Sequence, residues 1–190
     1  MSSRLLLPLV LVLVAVTAAT GLVARDAYQR PAVAAGGRIA VPSGTSAVPR
    51  SAQPGSAAVQ LSPDAARHPD GERVRDLLQR YFDAINDHEY ERWARTVTTQ
   101  RVTRTPRDRW LADYRSTHDG TIAVHRVETV SPTRLRVLMT FVSTQDLANA
   151  PAELQADCIR WRVVYPVQEE SGSLRVDFGT EGAGSQFTAC

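Results

Sequence analysis

Residues 74–93 read VRDLLQRYFDAINDHEYERW, and this stretch sets the fold. Val74, Leu77, Leu78, Tyr81, Phe82 and Ile85 recur at intervals of three and four, which is one apolar stripe on a 3.6-residue helix. Arg75, Asp76, Gln79, Arg80 and Asp83 fall mostly off that stripe. Asp70 stands where it caps a helix starting at Gly71 or Glu72. Asn86-Asp87-His88 breaks the pattern, and Asp87 is placed to cap a second, short helix carrying Tyr90, Trp93, Ala94 and Val97. Downstream, Thr105-Pro106-Arg107-Asp108 combines an N-cap, a proline for the first helical position and a capping-box acid. It opens a third helix that buries Trp110, Leu111 and Tyr114.

The period changes after Asp119-Gly120, a pair read as the boundary before the strands. Residues 121–130 are rich in β-branched side chains, but Val127 is out of step with Ile122 and Val124, which predicts a bulge near His125-Arg126. Leu135, Val137, Met139 and Phe141 then alternate with Arg134, Arg136, Leu138 and Thr140. Ile159, Trp161, Val163 and Tyr165 alternate with Cys158, Arg160, Arg162 and Val164, and Leu174, Val176 and Phe178 close the series. Three helices followed by a meander of about four antiparallel strands predict an α+β fold, with helices over one sheet face. Roughly 120 residues can bury one adequate core.

The order of elements, and residues 74–93 within it, resembles the nuclear transport factor 2-like superfamily, the cone-shaped fold shared with ketosteroid isomerases and polyketide cyclases. The resemblance covers about residues 70–180 and rests on pattern rather than on an invariant motif. It implies a curved sheet built from 134–143, 158–167 and 174–178. That superfamily holds enzymes, ligand binders and assembly subunits, so the resemblance by itself assigns no activity.

Upstream of the domain the chain changes character. Leu5 to Val23 runs without a charge and is preceded by Arg4. Its helical length of about 28 Å approaches a bilayer's hydrocarbon thickness. Residues 1–30 are therefore expected to be an apolar helix, either a cleaved signal peptide or a single-pass anchor. Residues 31–69, with Pro31, Pro42, Pro49, Pro54, Pro63 and Pro69, are expected to form a flexible, disordered linker; 57–61 is the one stretch that could pack as a strand. The domain is then expected at 70–190. A membrane segment, a Pro/Ala linker and such a domain also resemble actinobacterial envelope proteins, which implies a cell-membrane location with the domain outside, or secretion after cleavage.

Charge narrows the function. Residues 1–70 carry a net +3 and residues 71–190 a net −1, and a near-neutral domain argues against a sequence-reading nucleic-acid module, which would need a basic face. All 22 basic residues are Arg, which removes Schiff-base lysine chemistry and a P-loop lysine. Cys158 and Cys190 in an exported chain predict one disulfide; two free thiols or a metal pair with His are the alternatives, and no paired His spacing supports a zinc site.

An isomerase-like reading needs a carboxylate base in an apolar pocket beside a proton donor. Asp83, Asp113, Asp146 and Asp177 are the candidate bases, and Tyr81, Tyr114 and His125 the candidate donors, but no combination has a telling spacing. No catalytic residue, metal ligand or cofactor is assigned from the sequence. Tyr81, Trp93, Tyr114 and Trp161 are the candidate ligand-lining residues, with plain core packing as the alternative. Arg101, Arg104, Arg107, Arg109 and Arg115 form either a patch for anionic lipid or cell-wall polymer or a solvated helix face. The expected role is a non-catalytic binding or assembly module tethered at the cell envelope. Its partner would be an envelope protein, or a second copy meeting it through the sheet. The alternative is a small-molecule binder or an isomerase- or cyclase-like enzyme using the cone.

Overall fold

The computed structural model describes residues 49–178 and 185–190. Residues 1–48, which contain the expected membrane segment and the first part of the expected linker, and residues 179–184 of the tail lie outside them. Among the described residues no helix is long and apolar enough to cross a membrane.

The expected boundary at residue 70 lies too far downstream. Strand β1 (Gln60–Leu61) pairs in parallel with the middle of β2 (His118–Ser131), and Val59 beside it is buried. Ser62 accepts from the Ala65 N–H and caps the short helix α1 (Pro63–Ala66). Few large apolar residues occur here, which is why the segment reads as linker. It is held by polar bonds instead: Gln79 accepts from the Val59 N–H at 2.9 Å and donates to the Ala57 carbonyl at 3.1 Å.

Helix α2 (Gly71–Asn86) buries the whole stripe from Val74 to Ile85. Asp70 stands at its N-cap but makes no side-chain cap bond; its carboxylate takes Arg73 at 2.6 Å. The second helix, α3 (Tyr90–Ala94), has Glu89 rather than Asp87 at its N-cap position, without a side-chain cap bond, and Val97 lies beyond it, bridging to Val176. Three helices were expected after residue 70, and the described residues there form four. Helix α4 (Thr99–Arg104) is capped by the Thr98 side chain and has no buried residue of its own, so no apolar period announces it. Helix α5 (Arg107–Asp113) starts one residue later than expected, with Pro106 at the N-cap and Trp110 fully buried.

The sheet has six strands, not about four: β1, β2, β3 (Arg134–Thr144), β4 (Cys158–Glu170), β5 (Ser173–Val176) and β6 (Gln186–Ala189). β2, β3 and β4 form the antiparallel body, and β1 is the single parallel addition. β4 is long enough to pair twice on one edge, with β5 along 167–170 and with β6 along 159–162. The β5 edge is covered in turn, because Val176 exchanges backbone hydrogen bonds with Thr96 and Thr98. Helices over one face of a bulged antiparallel sheet are the α+β arrangement that the nuclear transport factor 2-like resemblance implies.

Register shifts in β2 decide what faces the core. The bulge expected near His125-Arg126 is present between Val124 and Arg126. A second lies between Gly120 and Ala123. Thr121 is held there at φ 50° by two bonds to the N-terminal segment, its N–H donating to the Ser56 carbonyl at 2.7 Å and its hydroxyl to the Pro54 carbonyl at 2.6 Å. A Cβ on Gly120 would come within 2.6 Å of the Gly55 carbonyl, so only glycine lets this segment lie so close. The inserted residue reverses the strand's phase, which puts Asp119 on the same face as Val124.

Cys158 and Cys190 form a disulfide, with Cα atoms 5.4 Å apart. It fastens β6, whose four residues are exposed or half-buried, to β4. In the chain-entropy account a loop of this length is worth about 3.5–4 kcal/mol.

Candidate active site

A cavity of about 210 Å³ opens between α2, the α5–β2 turn and the core faces of β3 and β4. Its apolar walls are Phe82, Ile85, Phe141, Trp161 and Val163. Its polar groups are Tyr81, Tyr114, Thr117, Asp119, Ser143, Gln145 and Tyr165, with Asn149 and Asp113 toward the mouth. Trp161 stacks on Phe141 at 6.1 Å and meets Phe187 of β6 at 5.2 Å, so the C-terminal strand backs this wall.

Asp119 is a buried carboxylate in the cavity wall. It is 4% exposed and no cation pairs with it among the described residues. Its cross-strand neighbour is Ser143, whose hydroxyl donates to Asp119 Oδ1. Asn86, the last residue of α2, clamps the Asp119 backbone from both sides: Oδ1 accepts from the Asp119 N–H at 2.7 Å, and Nδ2 donates to its carbonyl at 3.0 Å. Burial pushes the Asp119 carboxyl up to about 7, against the opposing pull of the Ser143 hydroxyl. A carboxyl that exchanges its proton near neutral pH suits a general acid or base.

Three tyrosines supply neutral donors. Tyr114 is held above the ordinary phenol range, first by the nearby Tyr81 and then by burial. Tyr165 is raised too, first by burial and then by Tyr81. Both therefore keep their protons at neutral pH and can donate to a ligand oxygen. Tyr81 itself receives Arg101 Nη2 at 3.0 Å.

Of the four candidate ligand-lining residues, Tyr81, Tyr114 and Trp161 meet at this cavity. Trp93 does not: it is fully buried in a separate stack with Tyr90 and Trp110. Among the candidate bases, Asp113 reaches only the mouth and is well exposed, and Asp83 accepts from Gln79 on the helix flank. Asp146 is exposed beside a second, shallower hollow, and Asp177 accepts from Thr98. His125 bonds Thr140 on the outer sheet face, remote from the cavity. The arginine run does not form one patch: Arg101 turns inward and Arg109 lies near Asp113. Among the described residues no cluster of three or more His, Cys, Asp or Glu side chains could hold a metal ion.

Sequence reasoning missed Asp119, Ser143, Tyr165 and Asn86. One signal was present. Ser143 stands in phase with Leu135, Val137, Met139 and Phe141, and a polar residue on a core-facing phase marks a buried partner.

No family model matches the chain, and no curated protein matches it. Among solved structures it is similar to a Δ5-3-ketosteroid isomerase from Mycobacterium sp., at 12% identity and a TM-score of 0.37, over 61% of this chain and 98% of that one. It is also similar to the Kfla4162 protein from Kribbella flavida, at 18% identity and a TM-score of 0.41, over 63% and 90% of the two chains.

Proposed function

We propose that this domain binds a small, mostly apolar carbonyl compound in the cavity and moves a proton on the carbon next to the carbonyl. The buried Asp119 carboxyl, facing a wall of neutral tyrosine hydroxyls, carries this reading. In its ionised form Asp119 takes the proton, the tyrosine hydroxyls hydrogen-bond the enolate oxygen that results, and return of the proton to either carbon completes the turnover. The experiment needs no knowledge of the natural substrate. Small cyclic ketones in deuterated water are expected to gain deuterium beside the carbonyl in a saturable, protein-dependent way. Asp119→Asn is expected to slow that exchange by about 10²–10⁴-fold, the usual contribution of a positioned base. Protein-dependent exchange that is unchanged in Asp119→Asn, or no exchange with any ketone that binds, overturns the reading.

We further propose that the domain works on the outer side of the cell membrane, held by residues 1–30 or released when they are cleaved. The Cys158–Cys190 disulfide supports this placement, since such bonds persist in oxidising compartments. A partner envelope protein or a second copy would meet the sheet face away from the helices, where Leu138, Val164 and Pro166 are only half-buried. Crosslinking and thiol mapping of cell fractions test both points. An oxidised pair in the membrane or secreted fraction, with a crosslinked partner, is expected. Soluble cytoplasmic chain with free thiols overturns the placement, and uncrosslinked monomer overturns the partner.

A further inference from the structure

From residue 117 onward the chain carries six arginines and nine acids, and the fold sorts them. Leu135, Val137, Met139 and Phe141 of β3 and Ile159, Val163 and Val167 of β4 are buried, so the alternate positions lie on the face away from the helices. Arg134 and Arg136 of β3 and Arg160 and Arg162 of β4 occupy those positions and are exposed. Strand pairing adds Arg126, opposite Leu138, and Arg175, opposite Gln168. Every arginine of this span therefore stands on one sheet face.

Most of the acids are elsewhere. Asp119 is buried on the opposite face, and Asp146, Glu153 and Asp157 stand between β3 and β4. Glu169 lies near Arg73, Glu170 accepts from the Thr99 N–H, and Asp177 accepts from the Thr98 hydroxyl. Glu128, 3.8 Å from Arg136, is the acid within the face, and Asp64 of α1 meets Arg126 at 3.0 Å from the β2 side. Arg134, Arg160, Arg162 and Arg175 have no ion pair among the described residues. The rest of the chain cannot neutralise the face, since its only acids are Asp26 and Glu181 and it adds four arginines. The total charge of the domain hides this face, because acids in the loops and interior cancel it in the sum.

The arginines flank an apolar strip. Leu138 and Val164 are opposite each other across β3 and β4, with Arg160 and Arg162 toward one end and Arg134 and Arg136 toward the other. Arg160 and Arg134 are eight residues apart in register, which is about 27 Å along the strands. An apolar centre between guanidinium groups is the composition of a protein-binding surface, and each guanidinium can grip a carboxylate through two parallel bonds.

We propose that this face docks a protein with an acidic surface, its carboxylates meeting the two arginine groups and its apolar side chains covering Leu138 and Val164. This rests on the partner reading given above and selects an envelope protein over a second copy. A second copy brings the same arginines, and like charges repel across a twofold contact. A phosphate polymer or a lipid surface answers the arginines but not the apolar strip. Among the described residues the outer strand positions also carry no Phe, Tyr or Trp to stack on a base or enter a bilayer interface.

A photo-crosslinking residue, p-benzoylphenylalanine, placed at Leu138 and separately at Gln168 of the full chain in the cells that make it, tests this. The adduct is expected to contain an Asp- and Glu-rich peptide of a different protein. Arg160→Glu combined with Arg162→Glu is expected to lower its yield at least about tenfold, the scale of one charge pair turned repulsive. Arg134→Glu is expected to lower it likewise, and serves if the double variant does not fold. Arg107→Glu, exposed on α5, is expected to leave the yield within about twofold. An adduct with this same chain, with lipid or with nucleic acid, or a yield that charge reversal does not change, overturns the inference. A partner found by general crosslinking while neither position gives an adduct overturns it too and leaves the partner reading standing. No partner by either method overturns both.

Discussion

Replacing Asp119 with asparagine is expected to make the domain more stable above neutral pH and, in the same protein, to slow the proposed proton exchange. The unfolded chain releases the Asp119 proton at the ordinary carboxyl value of 3.8, whereas the folded domain releases it near 7. Between those two values the native state holds the extra proton, so stability falls as pH rises through the window. The penalty is absent below about pH 4, grows to about pH 7 and is constant above it; at about 1.4 kcal/mol per unit its upper size is about 4 kcal/mol. Asparagine keeps an oxygen for the Ser143 hydroxyl and leaves the Asn86 backbone clamp intact, but it has no charge to desolvate. Denaturant unfolding at pH 8 is therefore expected to show Asp119→Asn more stable by about 2–4 kcal/mol, and the two proteins converging toward pH 4. Equal stability at pH 8 would mean that Asp119 is hydrated or paired in the native state.

The second large effect lies in the aromatic stack under the short helices. Trp110 is 0% exposed, with Trp93 at 5.5 Å, Tyr90 at 5.7 Å and Tyr114 at 5.1 Å. α3 and α5 are each too short to be stable alone, and this stack is what docks them. Trp110→Ala is expected to cost about 3–5 kcal/mol, against a total of about 5–15 for a typical domain. Because Tyr114 leans on Trp110, the same substitution also loosens one side of the cavity. Thermal unfolding checks the first effect, and deuterium exchange at the ketone checks the second. A loss below about 1 kcal/mol would mean that the stack repacks around the gap.

Much of this molecule was legible from local pattern. The stripe of α2, the alternation of β3 and β4, the bulge near His125-Arg126 and the pairing of Cys158 with Cys190 all follow from periodicity and residue chemistry, and the structure contains each of them. α4 was not legible, because it buries nothing of its own and is set by the Thr98 cap and by Arg101 reaching inward. Of the packed segment 53–66, the pattern offered only 57–61 as a possible strand, and β1 (Gln60–Leu61) lies there; the rest was not legible, because backbone and Gln79 hydrogen bonds hold it rather than apolar bulk.

The candidate site shows where local reading stops. Three of its residues, Tyr81, Tyr114 and Trp161, stood out as aromatics on core-facing phases, and the structure gathers them around one cavity. Asp119 did not, since Asp-Gly before a strand has the chemistry of a turn. What faces Asp119 inward is a one-residue bulge at Gly120–Ala123, fixed by Pro54 and Ser56 more than sixty positions upstream. The amino-acid order alone determined the long helix α2, the long strands β3 and β4 and which of their faces are apolar, since those depend on neighbours within a few residues. Only the tertiary structure decided that a carboxyl sits in the apolar interior, because strand phase across a bulge is set by whatever distant backbone holds the bulge in place.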